Sequence, residues 1–327
     1  MTDSQTPPAK PSADQLFHVV HDAYGKRLAL VFGNHAERGE CPFYTASRCH
    51  HCDIGMGEGV AFDLATNRRR LEWYQSYFRH EWEALTHLVI YNSGSVLNPV
   101  EMPFEFLQDI LAVVRRVASI RVVSLDSRES FVTVDRILRI AEQLRDDQCV
   151  RIILGIESAN DHIRNELLQK GMSFERIQRM FDDIAKAAEQ IGPHRVGIDV
   201  NIVVGGPGTT SQTAAIDAVE TARMALAFGR MSVDFNIHPY YPSLRGLARF
   251  PAHSRCPVSI LLEAIQAVAS ICQAYVPAPR IFIGDHDEGH DTDRNGRLND
   301  ALRVGHVIHR FNATQDFGDM TDCLFDK

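Results

Sequence analysis

Three cysteines, Cys41, Cys49 and Cys52, lie close together in the spacing C-x7-C-x2-C, whereas Cys149, Cys256, Cys272 and Cys323 are scattered singly along the 327 residues. Thiolates are soft anionic ligands. Three of them supply three corners of a four-coordinate metal centre, or hold three irons of a cubane cluster, and leave one position without a protein ligand. An open position of that kind is where a metal centre does chemistry rather than merely bracing a fold. The remaining cysteines do not complete a disulfide framework, and a lone cysteine in an apolar segment is usually a small hydrophobe.

The triad alone leaves several readings open. A structural zinc site takes a fourth ligand, and His35, His50 and His51 are candidates. Compact zinc sites pair their cysteines two to four residues apart, which suits Cys49 and Cys52 but leaves Cys41 without a close partner. Cys41-Pro42 and the polar His50-His51 read as an exposed loop rather than a core of buried thiols. A three-thiolate iron–sulfur cluster with one open iron is the remaining alternative.

The residues around the triad must be positioned by elements, and from about residue 27 short Val- and Ile-rich runs alternate with longer helical patterns. Strands are expected at 28–32, 87–91, 120–125, 149–156, 196–204 and 233–237. Helices are expected at about 61–85, 103–118, 133–146, 160–190 and 211–228. Strands that each lead into a helix make βαβ units and a parallel sheet. Six in series, with right-handed crossovers, make an α/β fold that can curl into a barrel or lie as an open wound sheet, and in either case functional loops gather at the carboxyl ends of the strands. Asn92 to Ser95, Asp126 to Arg128, Glu157, Gly205 to Gly208 and His238 all fall at those ends.

The division expected is a disordered leader and N-terminal extension over 1–26, a catalytic core over 27–245, and a C-terminal extension over 246–327 that caps the substrate side. Within that extension a helix is expected at about 258–274 and a short apolar run at 281–283. Residues 284–300 are dense in Asp and His. Asp291 to Gly296 matches the first half of a calcium loop, but Leu302 stands where such a loop needs a bidentate glutamate, so a solvated loop or lid is the preferred reading.

A composition of 45% hydrophobic and 23% charged residues is that of an ordinary soluble domain. No run approaches the roughly 18 apolar residues of a membrane span, and the proline-containing N-terminus lacks the order of a secretory signal; the expectation is a cytoplasmic protein. A net charge of −8 argues against nucleic acid, while leaving room for a local basic patch such as Arg68-Arg69-Arg70.

A cysteine triad after the first strand of a serial β/α fold resembles the radical S-adenosylmethionine (radical SAM) superfamily, whose commonest spacing is C-x3-C-x2-C. Here the first gap is longer, and His51 stands where an aromatic residue is usual before the last cysteine. Two further strings carry the resemblance. Gly155-Ile156-Glu157-Ser158 is similar to the G-[VIL]-[QE]-S motif of the branch holding the Elongator catalytic subunit and the methylthiotransferases. Val203-Val204-Gly205-Gly206-Pro207-Gly208-Thr209-Thr210 resembles that branch's [VI]-x-G-x-P-G-x-T. Tyr91-Asn92-Ser93-Gly94-Ser95, Ser127-Arg128-Glu129, and Glu157 to Asp161 with Lys170-Gly171 are similar to the radical SAM partner of archaeosine synthase. The coverage is about residues 27–240, and over them the resemblance implies a partial (β/α)6 TIM-like barrel followed by a C-terminal extension.

The resemblance implies a 4Fe–4S cluster on Cys41, Cys49 and Cys52 that chelates S-adenosylmethionine (SAM) and cleaves it reductively to a 5′-deoxyadenosyl radical. It further implies that His51, Asn92, Ser93, Gly94, Ser95, Glu157, Lys170, Gly205 and Pro207 surround the cofactors. Lys170 is one position beyond the arginine of the related pattern. Asp126, Arg128, Asn201 and His238 are the candidates on the substrate side, with His238 suited to proton transfer near neutral pH. The expected partners are a small-molecule biosynthetic substrate and an external electron donor of flavodoxin or ferredoxin type. Alternatives are modification of tRNA or another macromolecule, transfer of a 3-amino-3-carboxypropyl group, and, in a different class, a zinc-stabilised binding protein.

Overall fold

The computed structural model describes residues 17–253, 255–284 and 298–318. Within them one sheet runs in chain order: β1 (Phe17–Asp22), β2 (Gly25–Val31), β3 (Leu85–Tyr91), β4 (Val122–Ser127), β5 (Cys149–Glu157), β6 (Val196–Val204), β7 (Ser232–Pro239) and β8 (Ile281–Ile283). β1 pairs antiparallel with β2, and every later neighbour pair is parallel. The helices are α1 (Pro42–Thr45), α2 (Leu64–Tyr77), α3 (Phe104–Arg116), α4 (Val134–Ala141), α5 (Phe174–Ile191), α6 (Ala214–Ala227), α7 (Leu244–Arg249), α8 (Val258–Cys272) and α9 (Leu298–Thr314). None is long and apolar enough to cross a membrane.

Strand alternation explains both the core and the lumen. On β5, Val150, Ile152, Leu154 and Ile156 point out beneath the helices, and on β6 so do Val196, Ile198, Val200, Ile202 and Val204. Each such side chain, fully buried, contributes about 1.5–3 kcal/mol. The opposite set points inward and falls into three tiers. Arg27, His87, Ser124, Arg151, Asp199 and Asp234 form a polar tier at the amino-terminal ends of the strands. Ala29, Val89 and Ile153 form a thin apolar septum above it. Tyr91, Asp126, Glu157, Asn201, Val203 and His238 line the carboxyl-terminal mouth.

The polar tier is a bonded plug rather than a pore. Asp22 Oδ2 is 2.5 Å from His87 Nδ1, and His87 Nε2 is 2.8 Å from Ser124 Oγ. Ser124 in turn donates to Asp199 Oδ2 at 2.8 Å. Arg151, 2% exposed, donates to Asp199 Oδ1 at 2.5 Å and pairs with Asp234 Oδ2 at 3.0 Å. Arg27 lies 4.2 Å from the ring centre of Phe282, so the second and last strands face each other across the lumen. α9 packs against both β1 and β8. From α9, Asn312 bonds the backbone N and O of Ile283, and Gln315, just beyond the helix, does the same for Ile281, so side-chain amides occupy the open edge of β8.

The expected barrel is therefore present and wider than six strands. Residues 17–22, read as part of an extension, form β1, and residues 281–283 form β8. His18 and His21 interrupt the apolar pattern of β1, and three residues are too few for β8 to announce itself. The helix expected over 61–85 stops at Tyr77. That over 160–190 divides into a π-helical turn, His162–Leu167, and α5, because Gln169 and Gly171 adopt positive φ between them. The acidic calcium-loop pattern from Asp291 lies outside the described residues.

Candidate active site

The mouth of the barrel holds a cavity of about 190 Å³, against about 30 Å³ in the polar plug below. Cys41, Cys49 and Cys52 all line it, as thiols rather than disulfides. They sit on a loop braced from several sides. Cys49 and Ser47 take positive φ, which lets the chain double back. Cys49 N donates to Gln169 O at 3.1 Å and His50 N to Leu168 O at 3.0 Å, lacing the loop to the segment after β5. Ser243 bonds His50 O, and Arg245 bonds Tyr44 O while its guanidinium lies 3.5 Å from the centre of that ring. The Cys41 thiol is pushed up to about 11 by burial and then by the nearby Glu101 carboxylate, so taking up a metal there would release a proton.

Glu157 ends β5 at a bulge with φ +66, which turns its carboxylate into the mouth. Lys170 Nζ donates to its Oε1 at 2.6 Å, and His51 Nε2 stands 3.5 Å from the same oxygen. Burial opposes both charges. The Lys170 ammonium, helped by His51, nevertheless holds the Glu157 carboxyl well below the usual range, and Glu157 in turn raises Lys170. Burial, opposed by Glu157, lowers His51, whose buried Nδ1 has no hydrogen-bond partner. A Cβ at Gly155 would overlap Glu157 Oε1 and lie 2.6 Å from Lys170 Nζ, so the glycine makes room for this ion pair. Arg164, fully buried, fixes the intervening chain by donating to Ser158 O, Ala159 O and Met172 O and pairing with Asp161.

The turn after β3 divides by role. Ser93 (φ +62) and Gly94 line the cavity. Asn92 and Ser95 are fully buried and hold the turn: Asn92 Oδ1 accepts from Gly94 N, and Ser95 Oγ accepts from Arg128 N. Behind them Glu101 accepts from Ser95 N, Asn34 and Asn98, and burial raises its carboxyl. A Cβ at Gly94 would overlap Glu101 Oε2.

Asp126, Asn201 and His238 reach the mouth as the strand ends predict. Asn201 Oδ1 accepts from Asn236 Nδ2 at 2.9 Å, and Gly284 lies close against the His238 ring. Arg128 lines the same mouth. Its side chain turns to the cysteine loop, with Nη1 3.2 Å from Cys49 Sγ. Gly205 and Pro207 are not among the residues lining the cavity; β6 contributes Asn201 and Val203 instead. Gly205 (φ +74) packs on Cys256, where a Cβ would lie 2.6 Å from Sγ, and its carbonyl accepts from the His253 ring at 3.0 Å.

No family model matches the chain. It is 28% identical over 146 residues to an uncharacterised protein of Methanocaldococcus jannaschii, a match covering 45% of this chain and 38% of that one. Among solved structures it is similar to TsrM, a radical SAM methyltransferase from Kitasatospora setae solved with tryptophan substrate and a SAM analogue (TM-score 0.40, 14% identity, 67% of this chain and 38% of that one). It is also similar to Elp3 of the archaeon Methanocaldococcus infernus (TM-score 0.48, 13% identity, 80% and 56%). The chain thus spans less than two thirds of each of these proteins.

The three thiols share the cavity without converging on one point, and among the described residues no group of three or more Cys, His, Asp or Glu side chains forms a ready-made metal site. The chemistry of the donors nonetheless suits a group that takes three soft anionic ligands and keeps one position open. Arg128 and Lys170 flank Cys49 and offset the negative charge that thiolates bring. Of the histidines weighed as a fourth zinc ligand, His35 is bonded to Asn67 at 2.8 Å and His50 to Ser47 O at 3.0 Å through their Nε2 atoms, and His51 faces Glu157. Reading the sequence missed Arg164 and Glu101, which touch the site from behind, and Tyr240 and Tyr241, which wall it. The tyrosines directly follow His238-Pro239 and could have been found by extending the strand-end rule two residues.

Proposed function

We propose that this chain is a radical SAM enzyme acting on a small molecule. The observation that carries the reading is the meeting, in one mouth, of three thiols, the Ser93-Gly94 turn and the Glu157–Lys170 pair, brought from three separate strand ends. In this reading Cys41, Cys49 and Cys52 hold three irons of a 4Fe–4S cluster and leave the fourth open. Bound there, such a cluster would supply one-electron reductive chemistry that turns SAM into a source of the 5′-deoxyadenosyl radical for hydrogen abstraction from a small-molecule substrate.

The protein's task is to bind, orient and keep water away. The backbone at Ser93 and Gly94 is open to the SAM amino group. Glu157, kept ionised by Lys170, accepts from ribose hydroxyls or an ammonium, and Lys170 lies within the same cavity for a carboxylate. Asp126, Asn201 and His238, with Tyr240 and Tyr241 beside them, offer a polar wall to the substrate. An external one-electron donor completes the reaction, and the reducing cytoplasm is its setting. The net charge of −8 favours a small molecule over nucleic acid.

Anaerobic reconstitution with iron and sulfide tests this reading. The expected product is brown protein with about four irons per chain. Colourless protein that instead retains one tightly bound zinc would overturn it.

A further inference from the structure

Two of the three guanidinium nitrogens of Arg128 donate hydrogen bonds, and the third, Nε, stands in an ion pair only. Nη1 is 3.2 Å from Cys49 Sγ, Nη2 donates to Lys170 O at 2.6 Å, and Nε faces the buried Glu129 carboxylate at 3.5 Å. The guanidinium plane sits 3.6 Å from the centre of the Phe43 ring, a residue of the cysteine loop itself. Its backbone N is tied to Ser95 Oγ, and Arg176 reaches Glu129 from the far side. Arg128 is 9% exposed. The side chain is therefore fixed by stacking, by one carbonyl and by a counter-ion, with the remaining fork aimed at one sulfur.

We propose that Arg128 is a positioning residue that sets how readily the metal centre on Cys49 accepts an electron. The proposal rests on the iron–sulfur reading above and deepens it. A hydrogen bond to a ligand sulfur draws electron density from it, and a fixed positive charge favours the state carrying one more electron; both raise a cluster's reduction potential. The planar fork reaches sulfur and carbonyl at once, which a lysine ammonium on a flexible stem does not reproduce. The electron comes from an external reductant, and the change is one electron per cluster with no atom transferred.

The test is a redox titration of the reconstituted protein under anaerobic conditions, with dithionite as reductant and electron paramagnetic resonance of the reduced cluster as readout. Arg128→Met and Arg128→Lys are compared with the unchanged chain, with folding checked by circular dichroism. The expected result is a midpoint shifted to lower potential in Arg128→Met and a smaller shift the same way in Arg128→Lys. If Arg128→Met does not fold or holds no cluster, the Arg128→Lys shift decides. Midpoints equal to that of the unchanged chain in every variant that holds a cluster overturn the proposal. Failure of the unchanged chain to take up any cluster overturns both this inference and the reading beneath it, which keeps the two failures distinguishable.

Discussion

Tyr24, in the turn of the first hairpin, donates its hydroxyl hydrogen to Asp234 Oδ2 at 2.6 Å, although 210 residues separate them. Burial raises the Tyr24 hydroxyl and keeps it a donor. The bond ties the start of the sheet to β7 at the floor of the barrel, and Arg280 lies 3.8 Å from the centre of the Tyr24 ring on the same side. Tyr24→Phe removes one hydrogen bond to a charged acceptor and is expected to cost about 1–3 kcal/mol in urea unfolding. Asp234→Ala strips Arg151 of one of its two carboxylate partners and is expected to cost more, about 3–5 kcal/mol. Equal, negligible losses in the two variants would contradict the plug described above.

The same plug predicts an acid limb. Burial opposes charge on Asp22, but His87 and then Arg27 hold its carboxyl below the ordinary carboxylate value. Because the folded value is the lower one, Asp22 favours the folded state above the unfolded carboxylate range of about 3.9, and this contribution is lost as pH falls through the folded value. Asp22→Asn is expected to lower stability at neutral pH by about 1–3 kcal/mol and to flatten the decline below about pH 4. Urea midpoints measured across that window check it; an acid limb as steep as that of the unchanged chain counts against it.

Glu157 and Lys170 are each buried and each depend on the other. Removing one leaves an uncompensated charge at a cost of about 3–5 kcal/mol, whereas replacing both with apolar residues of similar size is far better tolerated. Thermal unfolding should therefore rank Glu157→Leu and Lys170→Met below the double variant. SAM binding by calorimetry should be lost in all three.

Gly205 separates a structural role from a cofactor role. Its positive φ and the nearby Cys256 sulfur make Gly205→Ala destabilising by about 1–3 kcal/mol. Because β6 meets the cavity through Asn201 and Val203, SAM affinity should stay close to that of the unchanged chain. A large loss of affinity without loss of thermal stability would restore the expected contact of the Gly205–Pro207 turn with SAM.

These features were unequally legible in the sequence. The parallel strands β2 to β7 announced themselves because their outward faces are rich in Val, Ile and Leu. The polar and glycine-rich residues at their carboxyl ends then marked that end as the chemical one. β1 was hidden by His18 and His21, and β8 by its length, since three residues carry no period. Asp126, Glu157, Asn201 and His238 were findable because a strand end fixes where a side chain points. Arg128 was assigned to the mouth, but its contacts with the cysteine loop were not legible: a long side chain chooses its partner by packing, and the Phe43 ring comes from a loop 85 positions earlier. Gly205 packs on Cys256 and bonds His253 through its carbonyl, a contact set by the chain after β7 that no local pattern reveals. Arg164 and Glu101 act from behind the site, where only the folded chain shows which carbonyl or amide they meet.

The most direct measurement of the central claim is the nucleoside released when reconstituted protein is incubated anaerobically with SAM and dithionite. The account predicts 5′-deoxyadenosine from the unchanged chain, and none from Cys49→Ala with its fold intact. SAM returned unbroken by cluster-loaded protein, or methylthioadenosine as the product, would contradict it.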